Sequence, residues 1–159
     1  MENIEIERKF LVDPDKWLLE PKRSFTQVIQ GYLSIDSDKV IRVRISGTQG
    51  YITIKGAGSM IRPEYEYAIP KTDAMVLIQN YCTGKVEKIR YYIENEGQMW
   101  EVDEFQGANA GLIVAEIELE SCDSVVKLPK WITKEVTGDE RFFNSYLSQH
   151  PFMTWPGLF

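Results

Sequence analysis

Alternation of apolar and polar positions with a period of two dominates this chain. It resolves eight strand candidates, near residues 3–12, 25–35, 39–47, 50–56, 62–69, 85–95, 98–105 and 112–120. Turn-forming residues separate several of them, at Ser46-Gly47-Thr48-Gln49-Gly50, Gly56-Ala57-Gly58-Ser59, Asn95-Glu96-Gly97 and Gly107 to Gly111. Helical spacing is rarer. Thr72, Ala74, Leu77, Ile78, Tyr81 and Cys82, ended by Thr83-Gly84, predict one amphipathic helix, and Asp139 to Gln149 predicts another that buries Phe142, Phe143, Tyr146 and Leu147. Shorter helical turns are expected at Pro14 to Glu20 and Ser121 to Val126. With no internal repeat and no linker, residues 1–159 read as one domain that is mainly β and antiparallel, with flanking helices (α+β). The tail Pro151 to Phe159, carrying Trp155 and Phe159, is expected to pack on the body or on a neighbouring subunit, which leaves room for a homodimer.

Sorting each strand by parity is more informative, because alternate side chains point to opposite faces of a sheet. Ile4 and Ile6 oppose Glu5, Glu7 and Lys9. Ile41, Val43 and Ile45 oppose Arg42 and Arg44; Ile52 and Ile54 oppose Thr53 and Lys55; Tyr65, Tyr67 and Ile69 oppose Glu64 and Glu66. The division recurs where Ile89, Tyr91 and Ile93 oppose Lys88 and Arg90, where Trp100 and Val102 oppose Glu101 and Asp103, and where Ile113, Ala115, Ile117 and Leu119 oppose Glu116, Glu118 and Glu120. A sheet with one face in water would explain any one strand. It does not explain the set, since a solvated face mixes Ser, Thr, Gln and Asn with its charges and these faces are almost purely ionic. Acidic groups and basic groups are also sorted onto different strands, and carboxylates at i, i+2 and i+4 repel unless cations lie between them.

A closed eight-stranded antiparallel barrel accommodates this pattern if the apolar faces turn outward under the helices and the ionic faces turn inward to line a tunnel. Such an interior holds water, ions and a charged ligand, because an unpaired buried charge is too costly to leave dry. Cations suit a polyanion, and carboxylate clusters suit hard divalent ions such as Mg²⁺ or Mn²⁺. A triphosphate with bound metal meets both demands.

Composition narrows the classes further. Eighteen Lys and Arg against 24 Asp and Glu leave a formal charge of -6, with no basic block, so no nucleic-acid partner is expected. No long apolar run or signal-like start is present, so a cytoplasmic protein without a membrane partner is expected. Two cysteines and one histidine provide neither a disulfide scaffold nor a zinc site, so any metal is expected on oxygen.

Glu5-Ile6-Glu7-Arg8-Lys9 is similar to the N-terminal Glu-x-Glu-x-Lys signature of the CYTH domain, the triphosphate tunnel metalloenzyme superfamily. The other motifs of small bacterial members follow in order: Gln30-Gly31-Tyr32-Leu33, Ile41-Arg42-Val43-Arg44, Thr53-Ile54-Lys55-Gly56, Arg62-x-Glu64-x-Glu66, Lys88-Ile89-Arg90, Trp100-Glu101-Val102-Asp103-x-Phe105, Ala115-Glu116-Ile117-Glu118-Leu119-Glu120 and Lys134-Glu135-Val136-Thr137. The resemblance spans nearly the whole chain. It implies an eight-stranded tunnel that binds inorganic or organic triphosphates with Mg²⁺ or Mn²⁺.

Roles follow by resemblance at the matching positions. Glu5, Glu7 and Glu118 are the implied metal ligands, with Glu116 and Glu120 in support. Lys9, Arg42, Arg44, Lys55, Arg62, Lys88 and Arg90 form the implied phosphate cradle, arginine as a planar fork and lysine as a movable point charge. Lys9, Glu64, Glu66 and Asp103 are catalytic candidates, the three acids as groups that orient the attacking water, and Lys134, outside the strands, is a candidate to close one mouth. Arg8 has the wrong parity for the tunnel, and Tyr32 reads as either a wall aromatic or a core residue. The expected activity is a metal-dependent triphosphatase acting on inorganic tripolyphosphate and to a lesser degree on nucleoside triphosphates. The competing readings are an adenylyl cyclase that forms cyclic AMP from ATP, and a non-catalytic polyphosphate-binding module.

Overall fold

In the computed structural model, which describes residues 3–22 and 24–157, nine strands are seen among the described residues. They are β1 (Ile4–Val12), β2 (Ser24–Ile35), β3 (Lys39–Ser46), β4 (Gln49–Gly56), β5 (Ile61–Ile69), β6 (Lys85–Asn95), β7 (Gln98–Phe105), β8 (Ile113–Glu118) and β9 (Ile132–Glu135). Helices α1 (Pro14–Leu18), α2 (Lys71–Tyr81) and α3 (Asn144–Gln149) accompany them. The first eight strands pair antiparallel in the order β5-β4-β3-β2-β6-β7-β8-β1, and β1 returns to β5, so the barrel is closed. The closing seam is short. Ile4, Glu5 and Ile6 face Pro63, Arg62 and Ile61, and beyond them the Glu7 N–H reaches the Met60 carbonyl at 2.9 Å.

The ninth strand was not among the eight expected. It pairs with β1 over Phe10 to Val12, taking up the edge that β5 leaves. Ile132-Thr133-Lys134-Glu135 is too short and too polar to carry an alternation signal, and only the free edge of β1 makes it a strand.

The apolar faces do turn outward. Val43, Ile45 and Ala74 form one cluster where α2 lies on β3 and β4. Close approach there needs glycine: a Cβ on Gly50 would stand 2.9 Å from the Ala74 Cβ, and one on Gly31 would stand 2.7 Å from the Cys82 Cβ. A second cluster gathers Phe10, Trp17, Trp100, Val102 and Trp131 outside β1, β7 and β8. A third is different: Val86, Phe105 and Val114 have the inward parity of Lys88, Asp103 and Glu116, and with Val136, Phe142 and Leu147 they fill one end of the barrel. On β4 and β5 the cover is incomplete, and Ile54, Tyr65 and Tyr67 remain exposed.

Local signals explain most of the elements. Asp13 caps α1 by accepting from the Asp15 and Lys16 N–H groups. The β6–β7 hairpin turns on Glu96 and Gly97, both at positive φ, as a two-residue hairpin turn requires. Thr72 does not cap α2, which begins at Lys71 behind Pro70. No helix forms over residues 121–126. The helix expected over residues 139–149 is split, with a 3₁₀ turn at Glu140–Phe142 and α3 from Asn144, because Phe143 is extended. The break lets Phe142 and Leu147 bury in the third cluster while Phe143 and Asn144 line the cavity next to it. Trp155 packs against Phe142 and Phe152, so this part of the tail lies on the body, whereas Phe159 falls outside the described residues. Among the described residues no helix is long and apolar enough to cross a membrane.

Candidate active site

Closure brings the inward-facing residues of all eight barrel strands around one cavity of about 210 Å³. Glu5, Glu7 and Lys9 come from β1, Tyr32 from β2, Arg42 and Arg44 from β3, Lys55 from β4, and Arg62, Glu64 and Glu66 from β5. Lys88 and Arg90 of β6, Glu101 of β7, and Glu116 and Glu118 of β8 complete the wall.

Register decides which charges meet. Lys55 stands 3.1 Å from Glu5 and 3.3 Å from Glu64, bridging β1 and β5. Arg42 donates to Thr53 at 3.0 Å and to Glu66 at 3.4 Å, and the Thr53 hydroxyl donates to Glu66 at 2.8 Å. Arg44 donates to Gln30 Oε1 at 2.9 Å, and the Gln30 amide donates to the Tyr32 hydroxyl at 2.8 Å. Arg90 is the most heavily bonded cation. Its Nε and Nη2 meet the two Asp103 oxygens at 2.8 and 2.9 Å, and it also reaches Glu101 and Glu116.

The wall is polarised. On one side Glu7 lies directly opposite Glu118 across the β1–β8 ladder, with Glu5 next along β1 on the same face. Neither Glu7 nor Glu118 forms an ion pair with a cation among the described residues. Burial, then the nearby Glu116 and Glu5, push the Glu7 carboxyl well above its ordinary value. The Glu118 carboxyl is raised by burial and by Glu101, Glu5 and Glu64, and Glu5 is raised chiefly by burial in spite of Lys55. On the other side Arg44 is pushed down to about 10 by burial and by Arg42 and Arg90, and Lys88 is pushed down to about 7 by burial in spite of Asp103. Like charges opposed across a ladder destabilise a sheet. Compensation is therefore uneven: Arg42, Lys88 and Arg90 have carboxylate partners, whereas Glu7, Glu118 and Arg44 have no ion pair among the described residues.

Several expected site residues fall elsewhere. Asp103 does not line the cavity: it is 1% exposed, and both of its oxygens are taken by Lys88 and Arg90. Burial alone would raise its carboxyl, but Arg90 and Lys88 override that and hold it at about 2. Its three acceptor contacts are all to those two cations, and its burial outside the cavity lining keeps it from water in the cavity. Glu116 does line the cavity, yet Lys9 and Arg90 outweigh its burial and hold it well below the carboxylate range. Glu120 lies past the end of β8 and is exposed. Lys134 lies on β9, not outside the strands, and is exposed away from the cavity wall. Arg8 faces outward as its parity requires and pairs with Glu135 at 2.7 Å.

Other wall residues were not singled out in the sequence. Ser59, Gly138, Phe143, Asn144 and Ser145 reach the cavity from loops or from the start of α3, and Thr137, the last residue of the Lys134 to Thr137 motif, joins them. Gln30 and Thr53, both inside motifs quoted from the sequence, are buried behind the wall and bond Arg44 and Arg42 respectively.

The site is thus that of a closed barrel enclosing a polyanion site with a facing set of oxygen donors. No preformed cage of three or more acidic, histidine or cysteine ligands exists among the described residues. The donor chemistry nevertheless fits a hard divalent cation, because Glu7 and Glu118 are crowded carboxylates with no ion pair among the described residues, and Glu5 beside them shares Lys55 with Glu64. Comparison with known proteins agrees. The chain belongs to the CYTH domain family, whose match covers residues 3–143. An inorganic triphosphatase of Acetivibrio thermocellus is 46% identical over 150 residues, covering 93% of this chain and 95% of that protein. An inorganic triphosphatase of Nitrosomonas europaea is 38% identical over 151 residues, covering 91% and 96% respectively. A solved crystal structure of an inorganic triphosphatase, 34% identical, superposes with a TM-score of 0.65 over 96% of this chain and 97% of that one. Membership of this family implies a requirement for a divalent metal.

Proposed function

We propose that this chain is a metal-dependent triphosphatase that hydrolyses inorganic tripolyphosphate, with nucleoside triphosphates as lesser substrates. The observation that carries this reading is one cavity wall that gathers Arg42, Arg44, Lys88 and Arg90 together with Glu7 and Glu118, and that, among the described residues, leaves those two carboxylates without a cation and Arg44 without an anion. A triphosphate chain with a divalent ion supplies both.

In this reading Arg42, Arg44, Lys88 and Arg90 grip phosphate oxygens from one side, with Lys9, Lys55 and Arg62 contributing around the rim. Glu5, Glu7 and Glu118 would hold the ion, Mg²⁺ or Mn²⁺, which when bound would polarise the phosphoryl group and offset its charge. Asp103, locked to Lys88 and Arg90, keeps those cations pointed inward before substrate arrives, so little reorganisation accompanies binding. Glu64, paired with Lys55 and next to Glu5, is in this reading the carboxylate that accepts a proton from the attacking water. Water oxygen bonds to the terminal phosphorus, the bond to the bridging oxygen breaks, and phosphate and diphosphate leave.

The test is turnover of tripolyphosphate, ATP and thiamine triphosphate in parallel, with Mg²⁺ and with Mn²⁺, reading both free phosphate and cyclic AMP. Phosphate release that is fastest from tripolyphosphate and abolished by chelation is expected. Cyclic AMP from ATP, or binding without any turnover, would overturn the proposal.

A further inference from the structure

Two lysines of the cavity are tied to one short piece of chain that crosses its end. The Lys9 ammonium donates to the Phe142 carbonyl at 3.2 Å, and the Lys88 ammonium donates to Asn144 Oδ1 at 2.9 Å. Since β1 and β6 are separated by β7 and β8 on one side of the barrel, residues 142–144 span the lumen between them. Phe142 and Leu147, both buried in the third apolar cluster, anchor this segment on either side of Asn144.

The Lys88 side chain is wholly buried, with Asp103 Oδ2 at 2.7 Å as its other acceptor. An ammonium with one acceptor spins about its Cε–Nζ bond, whereas one with two fixed acceptors has all three N–H directions set. The third N–H of Lys88 has no partner among the described residues, and Lys88 lines the cavity. We propose that Asn144 is a positioning residue, which with Asp103 fixes the Lys88 ammonium so that its remaining N–H is held ready for a phosphate oxygen. This rests on the reading of the cavity as a triphosphate site. The amide suits the task because it accepts from the ammonium without adding negative charge beside a polyanion, which an aspartate would do. Around Lys88 the charged groups are Arg90 on its own strand, Asp103 on β7, Arg44 on β3 and Glu116 on β8.

Two substitutions test it through effects of opposite sign. Asn144→Ala removes an acceptor that favours the charged lysine, so KM for tripolyphosphate should rise roughly tenfold or more, and the alkaline limb of kcat/KM should move to lower pH. Asn144→Asp keeps an acceptor and adds charge, so KM should also rise, but the alkaline limb should move to higher pH. A purely structural role would scale activity by one factor at every pH. That result, or an unchanged KM in both folded variants, would overturn the proposal. Proton–nitrogen NMR of the lysine ammonium groups gives a readout independent of turnover. Lys88 should show an exchange-protected signal in the wild type, kept in Asn144→Asp and lost in Asn144→Ala; no protected signal in the wild type would also overturn it. Failure of the wild type to hydrolyse tripolyphosphate would refute the functional reading instead, and the NMR comparison would still decide the positioning role.

Discussion

Replacing Glu7 by glutamine should make the metal-free protein more stable while abolishing its activity. Glu7 faces Glu118 across the ladder and interacts with Glu116 and Glu5, with no ion pair of its own among the described residues. The contact opposed across the ladder, with Glu118, costs about 0.2–1 kcal/mol, and repulsion from the diagonal Glu116 and the same-strand Glu5 adds to it, so relieving all three is worth roughly 1–2 kcal/mol. For a domain of this size that corresponds to a rise in Tm of about 2–8 °C. Divalent metal should reverse the order: a ligand at a hundredfold excess over Kd adds about 2.7 kcal/mol to the wild type, and the variant should gain less. The pH dependence has a definite sign. Because the folded Glu7 carboxyl lies well above its ordinary 4.5, folding is not penalised below that value, and the penalty grows as pH rises through the folded value. The advantage of Glu7→Gln should therefore be present near neutral pH and vanish in mild acid. Thermal melts with chelator and with metal, at both pH values, read all of this. A chelated variant that melts below the wild type at neutral pH, or an equal metal-induced rise in the two proteins, would refute the reasoning.

Asp103→Asn leaves Lys88 and Arg90 buried without their shared counter-ion and should destabilise by about 3–5 kcal/mol, measurable by denaturant unfolding. Because the folded Asp103 sits at about 2, below its ordinary 3.8, the stability it supplies is present above 3.8 and should persist in wild-type acid titrations until pH falls through about 2. Arg44→Ala should chiefly raise KM for tripolyphosphate, by roughly ten- to hundredfold as befits one charge-assisted contact, with a smaller change in kcat. Lys134→Ala and Glu120→Ala, whose side chains stand away from the cavity wall, should leave kcat/KM within about twofold, as expected of surface substitutions.

What the sequence determined by itself is the face on which each charge lies. Period-two alternation is a local property of the backbone, so the inward placement of Glu5, Glu7, Arg42, Arg44, Lys55, Lys88, Arg90, Glu116 and Glu118 could be read before any strand was paired. Closure was legible too, because purely ionic faces sorted by sign make no sense on an open, solvated sheet. Tertiary structure alone decided which charges would be neighbours. Register set Glu7 against Glu118 and left both without a cation, and the same register put Asp103 between Lys88 and Arg90, turning an expected water-orienting group into a clamp. Parity says nothing about contacts beyond the strand itself, because the partner's offset depends on turns and bulges elsewhere. The segment from Ile132 to Ser145 lay further from sequence reasoning. Its strand exists only because β1 has a free edge, and Asn144 reaches Lys88 only because the chain breaks at Phe143, a choice made by the cavity and core it packs between and not by local propensity.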